Sequence, residues 1–419
     1  MALGKGSGAS VVDTASAHVA RQPVFDRGFK VWGYELLDRY PREAGSEGPG
    51  DAGTARVLSA SSDFGGMRRL TKGRPALVNF TRRMLVEQAY LMMPPGQVVV
   101  EVLEDVEIDD EVLLACKRVK EAGYRLAIDD VTSIDGYVDV LPLVDVLKVD
   151  WMLTDADQRK ALCAAVSFWP ELVLLAEKVE TPAELFEAQK LGCTLYQGFF
   201  FQKPELVNGR AASAAAFSWA RFMQEVNRPE VDFDQLEAVV RSDAVIAARL
   251  IRRINGASHG LSQRVTSIKQ ALVLLGEEPL RRWCSVAALG ELASGKPSEL
   301  AVSALSRAHF CEHLGLDVGL RERRLELFSL GLMSLLDGVL DQPMDEVLLE
   351  LRPSADVRGA LLGRDGVYRR VLEAAVACER GATAEAIEPL AEGLGVSADG
   401  LLRRYAEALC WSDETMGSG

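Results

Sequence analysis

The chain has 419 residues, 48% of them apolar and 26% charged, and carries a formal net charge of −14. That length exceeds what one hydrophobic core usually supports and points to two domains. The acidic balance argues against non-specific binding to DNA or RNA, and no apolar stretch or basic-then-apolar leader suggests a membrane span or secretion.

Residues 1–16 are small and rich in Gly and Ala, the composition of a disordered tail; Gly4-Lys-Gly6-Ser-Gly8 has no strand before it and so lacks the context of a phosphate loop. From about His18 to Pro204, short β-branched runs alternate with amphipathic segments such as Glu111–Gly123. That alternation predicts crossover units on a mainly parallel sheet. The strand candidates are His18–Phe25, Val31–Glu35, Ala76–Asn79, Val98–Glu101, Arg125–Asp130, Val146–Lys148, Leu172–Glu177 and Thr194–Gln197. Eight strands suit a TIM-like barrel, and a stretch below the usual ~250 residues predicts that some of its helices are trimmed. Glu43–Thr54, rich in Gly, Glu and Ala, reads as a flexible loop.

After Pro204 the strand signal fades. Ala211–Val226 reads as a connecting helix, and from Phe233 onward nearly everything has a helical period. Ser267-Ile-Lys-Gln270 is a capping-box candidate for a helix ending at Gly276, Leu327–Leu340 and Val371–Cys378 are further helices, and Pro343 and Pro353 break the run. The expected class is α/β plus all-α: a barrel over 17–205, a linker over 206–232, and a helical domain over 233–419. Seven scattered cysteines without CxxC spacing indicate reduced thiols and a cytoplasmic setting.

Seven of the strand candidates end in polar residues: Glu35, Asn79, Glu101, Asp129 with Asp130, Lys148, Glu177 and Gln197. A barrel gathers its strand ends on one face. Five carboxylates, an amide, a lysine and a glutamine meeting there suit a hard divalent cation and a phosphate-like ligand. Taken singly, each has a plainer explanation; Lys148 beside Asp150, for example, reads as an ion pair. Carboxylates plus lysine on a barrel also describe enolase-type proton abstraction. In the second half, His309-Phe-Cys-Glu312-His313 spells an inverted zinc-protease pattern, without a matching downstream context, and reads as a structural helix.

These motifs resemble the EAL domain family, barrel-shaped phosphodiesterases or binding modules for cyclic di-GMP. Glu35-Leu-Leu37-Asp-Arg39 fits its ExLxR signature, Asn79 its strand-end asparagine, Glu101-Val-Leu-Glu104 its ExTE element, and Asp129-Asp130 the start of its DDFG loop. Leu147-Lys148-Val-Asp150, Ala176-Glu177-Lys-Val-Glu180 and Gln197-Gly198-Phe199 follow in the family's order. The resemblance implies Mg²⁺ or Mn²⁺ held by Glu35, Asn79, Glu101 and Asp129, with Asp130 on a second ion. It implies a water positioned by Lys148, support from Glu177 and Gln197, a ligand phosphate on Arg39, and pairing through the barrel into a homodimer. Two departures stand out: Val131-Thr-Ser-Ile134 replaces a Phe-Gly-rich loop, and Lys178 replaces a glycine. Hydrolysis and binding without turnover therefore remain alternatives.

Leu250–Leu261, Val265–Ile268 and Gln270–Gly276 resemble the HDOD family of helical output modules. Asp337 has no histidine beside it, against a metallohydrolase in this half. The whole resembles two-domain EAL-HDOD signalling proteins, which implies a protein partner on the helical half and no DNA or membrane partner. A non-catalytic adaptor with a degenerate barrel is the rival expectation.

Overall fold

The computed structural model describes residues 19–38, 51–62, 66–200, 222, 232, 270, 277–293, 296–382 and 384–417. Arg39, His18, His259 and, apart from Phe222 and Gln270, the expected helices at 211–226 and 267–276 lie outside the described residues.

Eight strands close a barrel in chain order: β1 (Val19–Asp26), β2 (Val31–Asp38), β3 (Ala76–Phe80), β4 (Val98–Val102), β5 (Arg125–Ile128), β6 (Val146–Asp150), β7 (Val173–Glu177) and β8 (Leu195–Gln197). β1 runs antiparallel to both neighbours, and every other pair is parallel. The reversal has a local cause. Asp26 Oδ1 accepts from the backbone N–H groups of Gly28 (2.8 Å) and Lys30 (3.0 Å), while Phe29 takes φ 56°, so the chain turns back at once.

The crossovers carry α1 (Asp51–Ser62), α2 (Gly66–Thr71), α3 (Arg82–Val86), α4 (Asp110–Glu121), α5 (Ala156–Val166) and α6 (Pro182–Lys190). Their starts follow from sequence: Asp109 accepts from the Glu111 and Val112 N–H groups, and Asp155/Gln158 and Thr181/Glu184 form capping boxes. The β5–β6 connection has only a 3₁₀ turn at Leu141–Leu143, the trimming the short barrel predicted. The loop expected to run through Thr54 ends sooner, because α1 begins at Asp51. Gly53 lets that helix approach β2, where an added Cβ would stand 3.0 Å from the Asp38 carboxylate, and Thr54 Oγ1 donates to the Asn79 carbonyl at 2.9 Å.

Among the described residues, the helical half contains α7 (Glu277–Leu292), α8 (Ser298–Asp317), α9 (Arg324–Met333), α10 (Leu336–Leu340), α11 (Met344–Leu351), α12 (Ala355–Leu361), α13 (Val367–Arg380), α14 (Ala384–Leu394) and α15 (Ala398–Gly417). α8 is its centre, burying Leu300, Ala304, Leu305, Cys311 and Leu314 among others. Gly331 on α9 allows a close approach to the α8 backbone: a Cβ there would sit 2.3 Å from the Arg307 carbonyl. The single helix expected over Leu327–Leu340 is two. At the break, Ser334 Oγ donates to the Gly331 carbonyl and accepts from Arg307 Nη1, offering the backbone an alternative to the next helical turn. Pro343 precedes α11 and Pro353 follows its end, as expected.

The halves meet through Arg21 on β1 and Asp413 on α15 (2.6 Å), and through the Tyr34 hydroxyl and Glu299 on α8 (3.0 Å). None of the seven cysteines, all among the described residues, forms a disulfide; six are buried and Cys410 is exposed. Among the described residues, no helix is long and apolar enough to cross a membrane.

Candidate metal centre

Period-two geometry builds the site. Val24, Leu77, Val99, Ala127, Val146, Leu175 and Leu195 form a buried apolar layer inside the barrel. Two residues further along each parallel strand, on the same face, stand Asn79, Glu101, Asp129, Lys148, Glu177 and Gln197. Glu35 stands likewise two residues beyond Gly33 on β2. On antiparallel β1 the same level is reached by stepping backwards, from Val24 to Gln22. An apolar floor thus lies under a polar ring at the end where the parallel strands finish.

The ring is tightly connected. Lys148 Nζ lies 2.8 Å from Asp129 Oδ1, 2.8 Å from Glu177 Oε1 and 3.7 Å from Glu35 Oε2, and also pairs with Glu101. Glu101 and Lys148 are fully buried. Lys148 therefore faces four carboxylates rather than pairing with Asp150, contrary to the plainer reading. Asn79 Nδ2 (3.3 Å) and Gln197 Nε2 (2.6 Å) donate to the two oxygens of Glu35 and fix its plane. Gln197 also donates to Gln22 Oε1 at 3.1 Å. Sequence reading missed Gln22, whose signal appears only once β1 is known to run antiparallel.

Burial raises Glu101 and Glu177 well above the usual carboxyl range, with Lys148 opposing. Burial acts the same way on Asp129, but Lys148 outweighs it and holds that carboxyl low. Burial would lower Lys148; Asp129, Glu101, Glu177 and Glu35 together keep it well above its ordinary value. Burial and then the Asp129 charge push Asp130 up to about 6, against the pull of Lys178.

One ammonium cannot balance four carboxylates, and unpaired buried charge is expensive. Asn79 Oδ1, Glu101 Oε2, Glu177 Oε2 and Gln197 Oε1 are buried acceptors without a hydrogen-bond donor. Among the described residues, two sets of carboxylates each bring one oxygen per residue within 4.8 Å of one another: Glu35–Glu101–Asp129 and Asp129–Asp130–Glu177. Orphaned hard oxygens in an over-acidic pocket fit a divalent cation. Asp129 belongs to both sets, and Glu177 joins Asp130 in the second.

At the rim, Lys178 pairs with Asp130 (3.2 Å) and with buried Asp150. Asp150 Oδ1 also accepts from the backbone N–H groups of Met152 and Leu153. Val131 is buried and its N–H donates to the Lys148 carbonyl at 3.0 Å, so the altered loop begins as wall. Gly198, at φ 142°, passes so close to Val179 that a Cβ would lie 2.1 Å from its carbonyl oxygen. A cavity of about 480 Å³ opens above the ring, lined on one side by Arg380 and Gly381 from the helical half.

The helical half offers no comparable centre among the described residues. His309 and His313 stack at 3.9 Å, His309 also stacks on Trp411, and Glu312 pairs with Arg282, so the H-x-x-E-H pattern is packing.

Residues 73–204 match the EAL domain and residues 217–340 the HDOD domain. The cyclic di-GMP phosphodiesterase CdgJ of Vibrio cholerae is 30% identical over 403 residues, which cover 95% of this chain and 93% of that protein. YuxH of Bacillus subtilis is 31% identical over 365 residues, covering 85% and 88%. Among solved structures, the EAL domain of Mycobacterium smegmatis DcpA aligns at 24% identity and a TM-score of 0.36, covering 43% of this chain and 89% of that one. Since the likeness to CdgJ runs through both halves, with the two domains in order, the chain belongs to the family of two-domain EAL-HDOD proteins.

Proposed function

We propose that the barrel binds cyclic di-GMP together with Mg²⁺ or Mn²⁺ and hydrolyses one phosphodiester to give the linear dinucleotide. The observation that carries this reading is the ring: four carboxylates and two amides from six strands, level with one another around buried Lys148. Glu35, Asn79, Glu101 and Asp129 would hold the cation, which supplies Lewis acidity to the phosphoryl oxygens and lowers the pKa of water.

The chain's own groups supply the rest. Asn79 and Gln197 fix the Glu35 carboxylate, so its oxygens cannot rotate away from the ring. Lys148, rigidly buried, presents an ammonium that donates to the attacking water, and Glu177 at 2.8 Å from it accepts the water's proton. The water oxygen bonds to phosphorus, the bond from phosphorus to the 3′-oxygen breaks, and that oxygen takes a proton. Little covalent chemistry falls to the protein; alignment is its main contribution. Arg39 would contact a ligand phosphate, a planar and permanently charged partner for it.

The helical half is the output module in this reading, passing the state of the barrel to a protein partner. A second reading, a non-catalytic adaptor, draws on the Lys178–Asp130 pair and the buried start of the altered loop. Two measurements decide. Calorimetry with cyclic di-GMP and Mn²⁺ should give binding in the micromolar range or tighter; no binding removes the first reading. Nucleotide chromatography after incubation with Mn²⁺ should show linear product from wild type and none from Glu35→Ala. Equal product from both would place the chemistry elsewhere, and binding without product would leave the adaptor.

A further inference from the structure

We propose that Lys178 stands in for a second divalent cation, so that this chain carries one metal ion per barrel. The inference rests on the metal-binding reading above and concerns only the number of ions. The Lys178 ammonium lies 3.2 Å from both carboxylate oxygens of Asp130 and pairs at the same time with Asp150. Asp130 is, with Glu177, one of the two members of the Asp129–Asp130–Glu177 set that the other set lacks, and of the two it is the one that does not pair with Lys148. With its carboxylate engaged by a tethered cation, that set is left with Asp129 and Glu177, both of which also pair with Lys148.

The backbone supports a purpose for this side chain. Lys178 sits at φ 54°, and Asp130, facing it across the rim, at φ 44°. Glycine is the residue that takes the left-handed region without strain, and a lysine adopts it only against its steric preference. The strained position aims a four-carbon arm over the mouth of β5 and β6, where its charge lands between two acidic groups. An ammonium is a compact point charge of the same sign as a divalent ion but cannot polarise a phosphoryl oxygen as a Lewis acid. Lys178 thereby offsets the rim charge without supplying the chemistry of a second ion.

Equilibrium dialysis of the full chain against Mn²⁺ alone, with bound metal counted by atomic spectroscopy and Mn–Mn coupling followed by electron paramagnetic resonance, tests this. Wild type should bind one ion and Lys178→Gly two, with dipolar coupling appearing only in the variant. Lys178→Asn, uncharged and tolerant of positive φ, should also bind two and serves if the glycine variant fails to fold. Asp130→Asn added to either should return the count to one. Two ions in wild type, or one ion in both Lys178 variants, overturns the proposal. No ion in wild type overturns the metal-binding reading on which it rests.

Discussion

Tyr34 on β2 donates a 3.0 Å hydrogen bond to Glu299 on α8, one residue along the chain from Glu35, whose side chain faces the opposite side of the same strand. Alternation in a strand makes this relationship unavoidable: if Glu35 points into the barrel, Tyr34 points outward, here into the helical half. Burial, reinforced by the Glu299 charge, raises the phenol's pKa, so it remains a donor throughout the neutral range. Among the described residues, Tyr34→Phe leaves the buried Glu299 carboxylate without its hydroxyl donor and with Lys72 at 3.5 Å. Stability should fall by about 1–3 kcal/mol in urea denaturation, the usual cost of orphaning a buried hydrogen-bonding group. Hydrogen exchange should rise in β2 and α8 together; unchanged exchange in α8 would mean that this bond does not couple the halves.

Lys148→Met separates structure from chemistry. The methionine fills similar volume but leaves Glu35, Glu101, Asp129 and Glu177 facing one another without a cation. Breaking a buried charge cluster from one side costs about 3–5 kcal/mol. The metal-free variant should therefore melt well below wild type, and saturating Mn²⁺ should raise its melting temperature more than it raises that of wild type, because ligand binding to the folded state adds stability. Turnover should be lost while cyclic di-GMP still binds. Loss of nucleotide binding with metal occupancy intact would make Lys148 a ligand anchor instead.

Arg380, at the end of α13, lies 5.4 Å from the Phe199 ring and lines the cavity above the acidic ring. In an over-acidic mouth, a guanidinium from the other half is well placed for a nucleotide phosphate. Arg380→Ala should raise the dissociation constant for cyclic di-GMP about tenfold, on the order of 1.4 kcal/mol, with Mn²⁺ affinity unchanged. Calorimetry reads both numbers. An unchanged nucleotide constant would mean that the helical half merely borders the cavity.

The ring was legible in sequence because β3 to β8 each carry, at or near their ends, a polar residue two positions past an apolar one, and barrel closure brings such positions to one level. Gln22 was not legible, since its place depends on β1 running the other way, a consequence of the turn at Asp26–Lys30. The start of α1 hid in a Gly-rich segment because Gly53 is kept for close approach to Asp38, a tertiary demand that local propensity cannot reveal. Lys148 beside Asp150 looked like a local pair; the two side chains share a face, but Asp150 is taken by Lys178 from the next strand's end. Arg380 belongs to the other half altogether, and no local pattern announces a contact across domains.

His309 gives the helical half a pH dependence of its own. Its ring is stacked between His313 and Trp411, and burial, then the charges of His313, Arg282 and Arg404, hold its pKa at about 3. Unfolded, the imidazole titrates near 6.5. The sign follows: below that value the unfolded chain takes up a proton that the folded chain refuses, so this group's contribution to stability is complete above about pH 6.5 and declines toward pH 3. At pH 5 the loss from His309 alone is about 2 kcal/mol. His309→Phe keeps an aromatic ring in the stack and removes the titration. Urea denaturation at pH 7.5 and pH 5 should show the wild type losing more stability than the variant across that interval, by about 2 kcal/mol. Equal losses in the two proteins would mean that His309 accepts its proton in the folded state.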